Sequence, residues 1–493
     1  MSNKISCFLP VGAPEDLKAT IEELRRSEQV GDIFILSSGD TPVSDIPPGN
    51  KKIEVPALFC SDTFRKIVQH AYTGFTLLYT KSLPLQLGVF ALQRMIQIAE
   101  YTASGMVYSD FYALKEGRKA PNPVIEYQEG SLRDDFNFGS LLLFNTLALH
   151  EAVSRMNDDY HSAGLYDLRL KLSQKHGIFH IPELLYSVVE TDSRKSGEKL
   201  FDYVDPKNRQ VQIEMEQACT AHLKDTGAWL EPRFTQIEFN ESGFNVEASV
   251  VIPVKNRART IGDAIKSALC QKTDFNYNLI VVDNHSTDGT TEIIRTFRAE
   301  DPRLIHIIPE RTDLRIGGCW NEAVFHPVCG KFAVQLDSDD LYIDDQVLSR
   351  IIAAFYQQNC AMLVGSYRMV NYNLEEILPG LIDHKEWTPG NGRNNALRIN
   401  GLGAPRAFYT PVIRNFKLPD VSYGEDYAIG LNISRYYQIG RIYEPLYLCR
   451  RWEENSDASL DVYKLNTHNF YKDKIRTIEF RARQQYVKEG QKI

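Results

Sequence analysis

Residues 248–271 read "ASVVIPVKNRARTIGDAIKSALCQ". The first seven are an apolar run ending in Pro253-Val254, and a polar turn follows over Lys255–Arg259. Apolar residues then recur at Ile261, Ala264, Ile265, Ala268 and Leu269. Spacings of three and four put them on one face of a helix. A second apolar run, "YNLIVVD" (277–283), leads into the turn-rich "NHSTDGT" (284–290) and another helical pattern. Strand, helix, strand with Val/Ile-rich strands predicts parallel pairing in an α/β sheet. The fold class is α/β.

The same plan opens the chain. "ISCFLPVGAPEDLKATIEELRRS" (5–27) reads as strand, turn and helix, and "DIFILSSGD" (32–40) as the next strand. With Tyr79 set against Leu336, "GFTLLYTKSL" (74–83) lies on "KFAVQLDSDD" (331–340) without gaps, and the same offset carries "MVYSDFY" (106–112) onto "LVGSYRM" (363–369). Residues 163–188 lie on 424–449, pairing Leu170 with Leu431, Glu183 with Glu444 and Tyr186 with Tyr447. Three ordered segments predict a tandem repeat. The copies differ in their acids. Asp337, Ser338, Asp339 and Asp340 face Thr80, Lys81, Ser82 and Leu83, while Glu425-Asp426 face Gly164-Leu165. Joint loss at both places suggests that the acids served one task.

A strand ending in three carboxylates within four positions is costly. Two carboxylates about 4 Å apart repel by roughly 4 kcal/mol at an effective dielectric near 20. An exposed acidic turn dilutes that cost, and a hard divalent cation bound outside the carboxyl end of the strand removes it. An EF-hand loop is excluded, since its sixth position from Asp337 is Tyr342 and not Gly. A haloacid-dehalogenase motif wants Thr or Val where Leu341 stands. No P-loop and no Gly-x-Gly-x-x-Gly after a strand is present.

Composition narrows the field. The 493 residues are 43% hydrophobic and 24% charged, with net charge −8. These are ordinary globular values for two or three domains, and the acidic balance speaks against nucleic acid. The eight cysteines stand singly, without Cys-x-x-Cys, and read as reduced core thiols. The N-terminus is too short in apolar length for a secretory signal, and no apolar run approaches the roughly 20 residues of a membrane span. The expectation is a soluble, cytoplasmic protein.

"VVIPVKNRARTIGDAIKSAL", "LIVVDNHSTDGT", "FAVQLDSDD", "YGEDYAIGL" and "YEPLYLCRRW" occur in the order and spacing of glycosyltransferase family 2. The chain resembles a bacterial tandem-domain member, with two GT-A-like (Rossmann-like, mostly parallel sheet) domains. The expected division is a degenerate, non-catalytic copy over 1–195, a linker with a bridging helix over 196–245, a catalytic domain over 246–460 and a helical tail over 461–493. The resemblance implies an inverting, metal-dependent transfer from a nucleotide-diphosphate sugar, UDP or GDP before others, to a hydroxyl on a glycan or lipid-linked acceptor.

Carried over by position, Pro253, Val254, Lys255 and Asn256 would line the nucleotide pocket, and Asp283 would accept hydrogen bonds from the base. Asn321 and Ser338 would belong to the donor site. Asp337 would face ribose and metal, with Asp339 the main ligand of Mn²⁺ or Mg²⁺. Asp426 would be the general base, and Glu425 would orient the acceptor or begin the helix. The chain departs from the family at Asn284, where a second Asp is usual, at Trp320, where Arg is common, and after Arg451, where "WEENSDAS" replaces a metal-reaching His. Arg-Arg-Trp (450–452) also resembles processive polysaccharide synthases, but Leu448 stands where their Gln or Arg belongs. The alternatives are a non-catalytic sugar-nucleotide or glycan-binding protein, and metal-dependent phosphoryl or nucleotidyl transfer. In the tail, Tyr471, Ile475, Ile478, Ala482 and Tyr486 recur at helical spacing with Lys472, Lys474, Arg476, Arg481, Arg483 and Lys488 on or beside them. That pattern suits either packing on the domain or peripheral contact with anionic lipid.

Overall fold

The computed structural model describes residues 4–38, 49–115, 117–192, 205–239, 243–455 and 460–490. The chain divides into two compact units. The first comprises residues 1–195, 210–226 and 460–477; the second comprises 196–209, 227–459 and 478–493.

The first unit is built on a nine-stranded sheet. Its strands are β1 (Ile5–Pro10), β2 (Val30–Ser38), β3 (Lys51–Val55), β4 (Phe75–Tyr79), β5 (Leu85–Leu87), β6 (Met106–Lys115), β7 (Arg118–Asn122), β8 (Leu141–Asn145) and β9 (Ile178–Val189). They lie in the order 3-2-1-4-8-6-9-5, with β7 on β6. The second unit has β10 (Ala248–Val254), β11 (Tyr277–Asp283), β12 (Leu304–Ile307), β13 (Phe332–Gln335), β14 (Leu341–Tyr342), β15 (Met362–Val370), β16 (Glu376–Ile382), β17 (Arg406–Tyr409) and β18 (Ile439–Arg450). Their order is 12-11-10-13-17-15-18-14, with β16 on β15. Adding nine to each strand number of the first sheet gives the second.

Strand directions agree as well. β1, β2, β3 and β4 pair parallel, as do β10, β11, β12 and β13. Beyond them β8 and β17 run antiparallel to their neighbours, while β6·β9 and β15·β18 are parallel. The mostly parallel sheet expected from the sequence is therefore parallel on the nucleotide-fold side only and mixed on the other. The central parallel strands are largely apolar because both faces are covered; every residue of β11 is buried, whereas the edge strand β3 alternates.

The offset between the copies holds at β4 and β13, where Phe75 and Phe332 occupy the same rung beside β1 and β10. It slips by one residue at β6. Met106 pairs Phe144 and Ile178, as Met362 pairs Phe408 and Ile439, so Met106 corresponds to Met362 and not to Leu363. A one-residue slip turns every side chain to the other face of a sheet, so low identity alone could not fix this register.

Two terminal readings change. The helix Arg209–Asp225 belongs with the first unit's core: Glu214 accepts the Ser162 amide at 2.7 Å, and Asp225 accepts Lys171 at 2.6 Å. In the helix Val462–Lys488 the buried side is charged, while Ile478 of the expected apolar face is exposed. Lys472 is buried, Arg476 pairs Asp473 at 2.8 Å, and Arg483 pairs Glu479 at 2.8 Å. Of the six cations Lys474, Arg481 and Lys488 are exposed, seven residues apart, while Lys472, Arg476 and Arg483 are buried. Among the described residues no helix is long and apolar enough to cross a membrane. The cysteines are all free thiols, mostly in the cores, with Cys270 exposed.

Candidate active site

In the second unit, the loops after β10, β11 and β13 and the start of the helix Glu425–Tyr436 hold the polar residues singled out in the sequence. The turn after β10 is tied to the turn after β11. Asn256, in the left-handed region at φ 55°, accepts the Thr287 amide at 2.8 Å and donates its own amide to the Ser286 hydroxyl at 2.9 Å. Asp288 accepts the Ala258 amide at 3.0 Å. Lys255 and Asn256 are exposed here, Pro253 is half-buried, and Val254 is buried, its carbonyl taken by the Asn284 amide at 2.8 Å. The Val254 side chain thus belongs to the core and lines no pocket.

Two further residues singled out in the sequence make hydrogen bonds within the fold. Asp283 is 0% exposed. One carboxylate oxygen takes the Ser286 amide at 2.9 Å and the other takes the Thr291 hydroxyl at 2.5 Å, with His306 at 3.5 Å. Burial alone would raise its pKa, but His306, Thr291 and Ser286 outweigh that and hold it well below the usual carboxylate range. Asp283 thus ties down the turn. Asn321 is also committed: its amide donates to the Leu418 carbonyl at 2.9 Å and accepts the Leu418 amide at 3.1 Å. It pins the helix Ile316–Phe325 to the 418–420 loop, where a Cβ on Gly317 would lie 1.9 Å from the Pro419 oxygen. Trp320 is buried against Phe408 as core.

The acidic turn after β13 has an inside and an outside. Asp340 points inward, buried, and accepts the Arg450 amide at 2.7 Å. Burial, then Asp339 and Asp337, push its pKa well up. Ser338 is buried too. Asp337 is half-buried; it accepts Gln335 Nε2 at 2.8 Å, and its amide donates to the Tyr447 hydroxyl at 2.8 Å. Burial raises its pKa, Arg406 and Gln335 oppose this, and Asp339 and Asp426 add to it. Asp339 is held through Oδ2 by Trp452 Nε1 at 3.2 Å and Asn455 Nδ2 at 3.1 Å, with Arg257 at 3.9 Å. Trp452 and Asn455 thus orient Asp339 from behind. Residues 456–459 of the same quoted stretch lie outside the described residues.

The second acid pair begins a helix behind Gly424 at φ 87°. The backbone dipole favours acids there, but the two carboxyls part company. Glu425 turns inward at 8% exposure, with Oε2 meeting no hydrogen-bond partner. Burial first, then Asp426, raise its pKa to about 8, so at neutral pH it is mostly a carboxylic acid. Asp426 turns outward and pairs Arg406 Nη1 at 2.9 Å. Asp426 acts on Asp337, and Arg406 feels Asp426, Asp337 and Glu425. The two acidic places therefore form one electrostatic cluster.

The donor set suits a hard cation. Asp337 and Asp339 offer carboxylate oxygens on the outer side of the turn, and oxygen ligands are what Mg²⁺ and Mn²⁺ select. Among the described residues no three His, Cys, Asp or Glu side chains form a ready-made cage. Arg406, Gln335, Tyr447 and Arg257 were not singled out in the sequence. For Gln335 a signal existed, since it faces Leu78 in the gapless alignment; for the others no local pattern marks them.

Residues 249–414 match the profile described as Glycosyl transferase family 2. The putative glycosyltransferase EpsE of Bacillus subtilis is 33% identical over 124 residues, 25% of this chain and 44% of that protein. The putative teichuronic acid biosynthesis glycosyltransferase TuaG of the same organism is 29% identical over 122 residues, 25% of this chain and 47% of that protein. The chain thus spans less than half the length of these relatives. Among solved structures, S. aureus TarS in complex with UDP-GlcNAc aligns at TM-score 0.37 and 21% identity, covering 48% of this chain and 72% of that one. Mannosyltransferase PcManGT from Pyrobaculum calidifontis, in complex with GDP-Man and Mn²⁺, aligns at TM-score 0.34 and 15% identity, over 55% of this chain and 84% of that one. The matched stretch, residues 249–414, carries the acidic turn Asp337–Asp340 and makes that part of the chain similar to glycosyl transferase family 2.

Proposed function

We propose that the second unit is an inverting glycosyltransferase that moves a sugar from a nucleotide-diphosphate donor to a hydroxyl of a glycan acceptor, with Mn²⁺ or Mg²⁺ held by Asp339 and Asp337. The observation that carries this is the cluster formed by the Asp337–Asp340 turn, inside the family 2 segment, and Asp426, beyond it, which Arg406 pairs at 2.9 Å while its amide meets the Gln335 that holds Asp337. TuaG is named for teichuronic acid biosynthesis and PcManGT was solved with GDP-Man and Mn²⁺; both names agree with a glycan product and a metal-dependent donor.

The roles divide by exposure. Asp426, the outward acid, is the general base: it takes the proton of the acceptor hydroxyl as that oxygen bonds to the anomeric carbon and the bond to the diphosphate breaks. Such help is typically worth about 10²–10⁴-fold in rate. Glu425, neutral and inward, donates or accepts hydrogen bonds and does not serve as the base. When bound, the cation supplies charge neutralisation for the leaving diphosphate. Lys255 and Asn256 border the donor site from the β10 turn. The first unit, lacking every acid of the cluster, is a non-catalytic copy.

Thermal-shift measurements with UDP-, GDP-, dTDP- and CMP-sugars, with and without Mn²⁺, test this on wild type and Asp339→Ala. One donor is expected to stabilise wild type in a Mn²⁺-dependent way and to lose that dependence in the variant. Equal stabilisation of both proteins, with nothing added by Mn²⁺, defeats the metal assignment. Stabilisation without any transfer to acceptor would favour the non-catalytic alternative.

A further inference from the structure

The ladder between β13 and β17 carries a feature that the family resemblance did not mark. Val334 pairs Ala407 on the last rung, and on the next position the Arg406 amide donates to Gln335 Oε1 at 3.0 Å. Gln335 uses its other end to donate to Asp337 Oδ1 at 2.8 Å. The Arg406 guanidinium reaches over to Asp426 Oδ2 at 2.9 Å and donates to the Gly403 carbonyl at 2.7 Å. One strand pair thus connects the acidic turn to the acid of the helix start, with the Arg406 guanidinium on Asp426.

The first sheet supplies the contrast. Its corresponding pair, β4 and β8, places Leu78 opposite Leu142, both buried. Gln335 and Arg406 are thus replaced together by two leucines, in the unit where Asp337, Asp339, Glu425 and Asp426 are replaced by Thr80, Ser82, Gly164 and Leu165. A strand pair needs neither polar residue to form, as the leucines demonstrate. Buried polar networks are costly unless every member has a partner. Their presence in the second unit only, beside the acids, ties them to the acids.

We propose that Arg406, seated by Gln335, is a positioning residue whose one positive charge lets the Asp337–Asp340 turn and the Asp426 carboxylate stand side by side before any ligand arrives, and that it fixes Asp426 Oδ2. Its use in sugar transfer rests on the reading of Asp426 as the base; the balance of charge does not.

The test is a cycle of melting temperatures on the full chain at about pH 7.5. Arg406→Met is expected to lose about 5 °C. Adding Asp337→Asn or Asp426→Asn to it is expected to recover at least half of that loss, because the unbalanced acid is gone. Arg406→Lys is expected to stay within about 2 °C of wild type, since it keeps the charge. If neither acid substitution recovers stability, or Lys falls as far as Met, Arg406 only braces the Gly403 turn and the proposal is overturned. Should Arg406→Met not accumulate as folded protein, Gln335→Leu/Arg406→Leu, which copies the first sheet, takes its place in the cycle with the same expected recovery. Mn²⁺ added alone to wild type judges the metal assignment separately: absence of any shift defeats that assignment, while the cycle still decides the role of Arg406.

Discussion

The two sheets share one strand order and one set of strand directions, yet differ at the same three places. At the tip of the fourth strand, Asp337 and Asp339 in one face Thr80 and Ser82 in the other. At the helix that precedes the last long strand, Glu425-Asp426 face Gly164-Leu165. On the strand pair between them, Gln335 and Arg406 face Leu78 and Leu142. Scaffold contacts are kept. Tyr427 and Tyr166 each donate a hydroxyl to a loop carbonyl, that of Ala396 and that of Leu132. Tyr447 and Tyr186 each accept an amide proton beside the fourth-strand tip, from Asp337 and Ser140. The fold therefore does not require the acids.

The largest effect is expected at Asp426. Asp426→Asn keeps the shape of the helix start and removes the proton acceptor, so transfer should fall by about 10³-fold with donor-induced stabilisation retained. Rates on purified protein, alongside thermal shift with the same donor, would show it. Normal transfer by the variant would mean that another group is the base, and that the outward acid of the second unit differs from Leu165 for some other reason.

At the neighbouring position the units differ in space as well as charge. A Cβ on Gly164 would lie 2.5 Å from the Cys60 carbonyl carbon and 2.6 Å from the Ser61 nitrogen, so the helix start of the first unit is filled by its own backbone. Gly164→Ala is expected to destabilise by about 3 kcal/mol, read by chemical denaturation. The second unit instead spends that place on a buried acid whose pKa is raised to about 8 from an ordinary value of 4.5. Below about pH 4.5 Glu425 is protonated in both folded and unfolded chains and imposes no penalty. As pH rises toward 8 the unfolded chain releases a proton that the folded chain keeps, so stability falls across that window. Glu425→Gln should therefore flatten the fall between pH 5 and 8, by on the order of 3 kcal/mol at the upper end. A wild-type stability that does not decline in this range, or a variant with the same slope, would show that Glu425 is ionised in the fold.

Much of this architecture was legible in the sequence because strand, turn and helix alternate with clear periods. The run at 248–271 gave strand and helix where they lie, and the gapless match of 74–83 on 331–340 proved to be a true structural equivalence. The parallel half was readable because its central strands are buried and largely apolar; the antiparallel half was not, since β17 is a four-residue strand with no alternation of its own. In the site, the acids were visible as clusters, but their orientations were not. Nothing in "LIVVDNHST" says that Asp283 is closed off by Ser286, Thr291 and His306, which come from its own turn, the next helix and the next strand. Arg406 escaped notice for a related reason: it stands alone in "GAPRAFY" and meets Asp426 only after the chain has folded back. In the tail, Arg476 and Arg483 find buried partners in Asp473 and Glu479, which a helical wheel drawn on hydrophobicity ignores.

The smallest effect is expected at the first unit's counterpart of the acidic turn. Lys81 occupies the place of Ser338, where it donates to the Val189 carbonyl at 3.4 Å and stands 3.8 Å from Glu190. Both side chains remain partly exposed, and such a pair contributes about 0–1 kcal/mol. Lys81→Ala should leave transfer within about twofold and stability within about 1 kcal/mol. Thr80→Ala should behave alike, because the Thr80 amide bond to the Ser140 carbonyl at 2.9 Å does not need the side chain. A large loss of transfer in either variant, with the melting temperature unchanged, would mean that the strand tip of the first unit reaches the chemistry after all. The loss of its acids would then mark a change of task rather than its end, and the two sheets would have to be read as sharing one reaction.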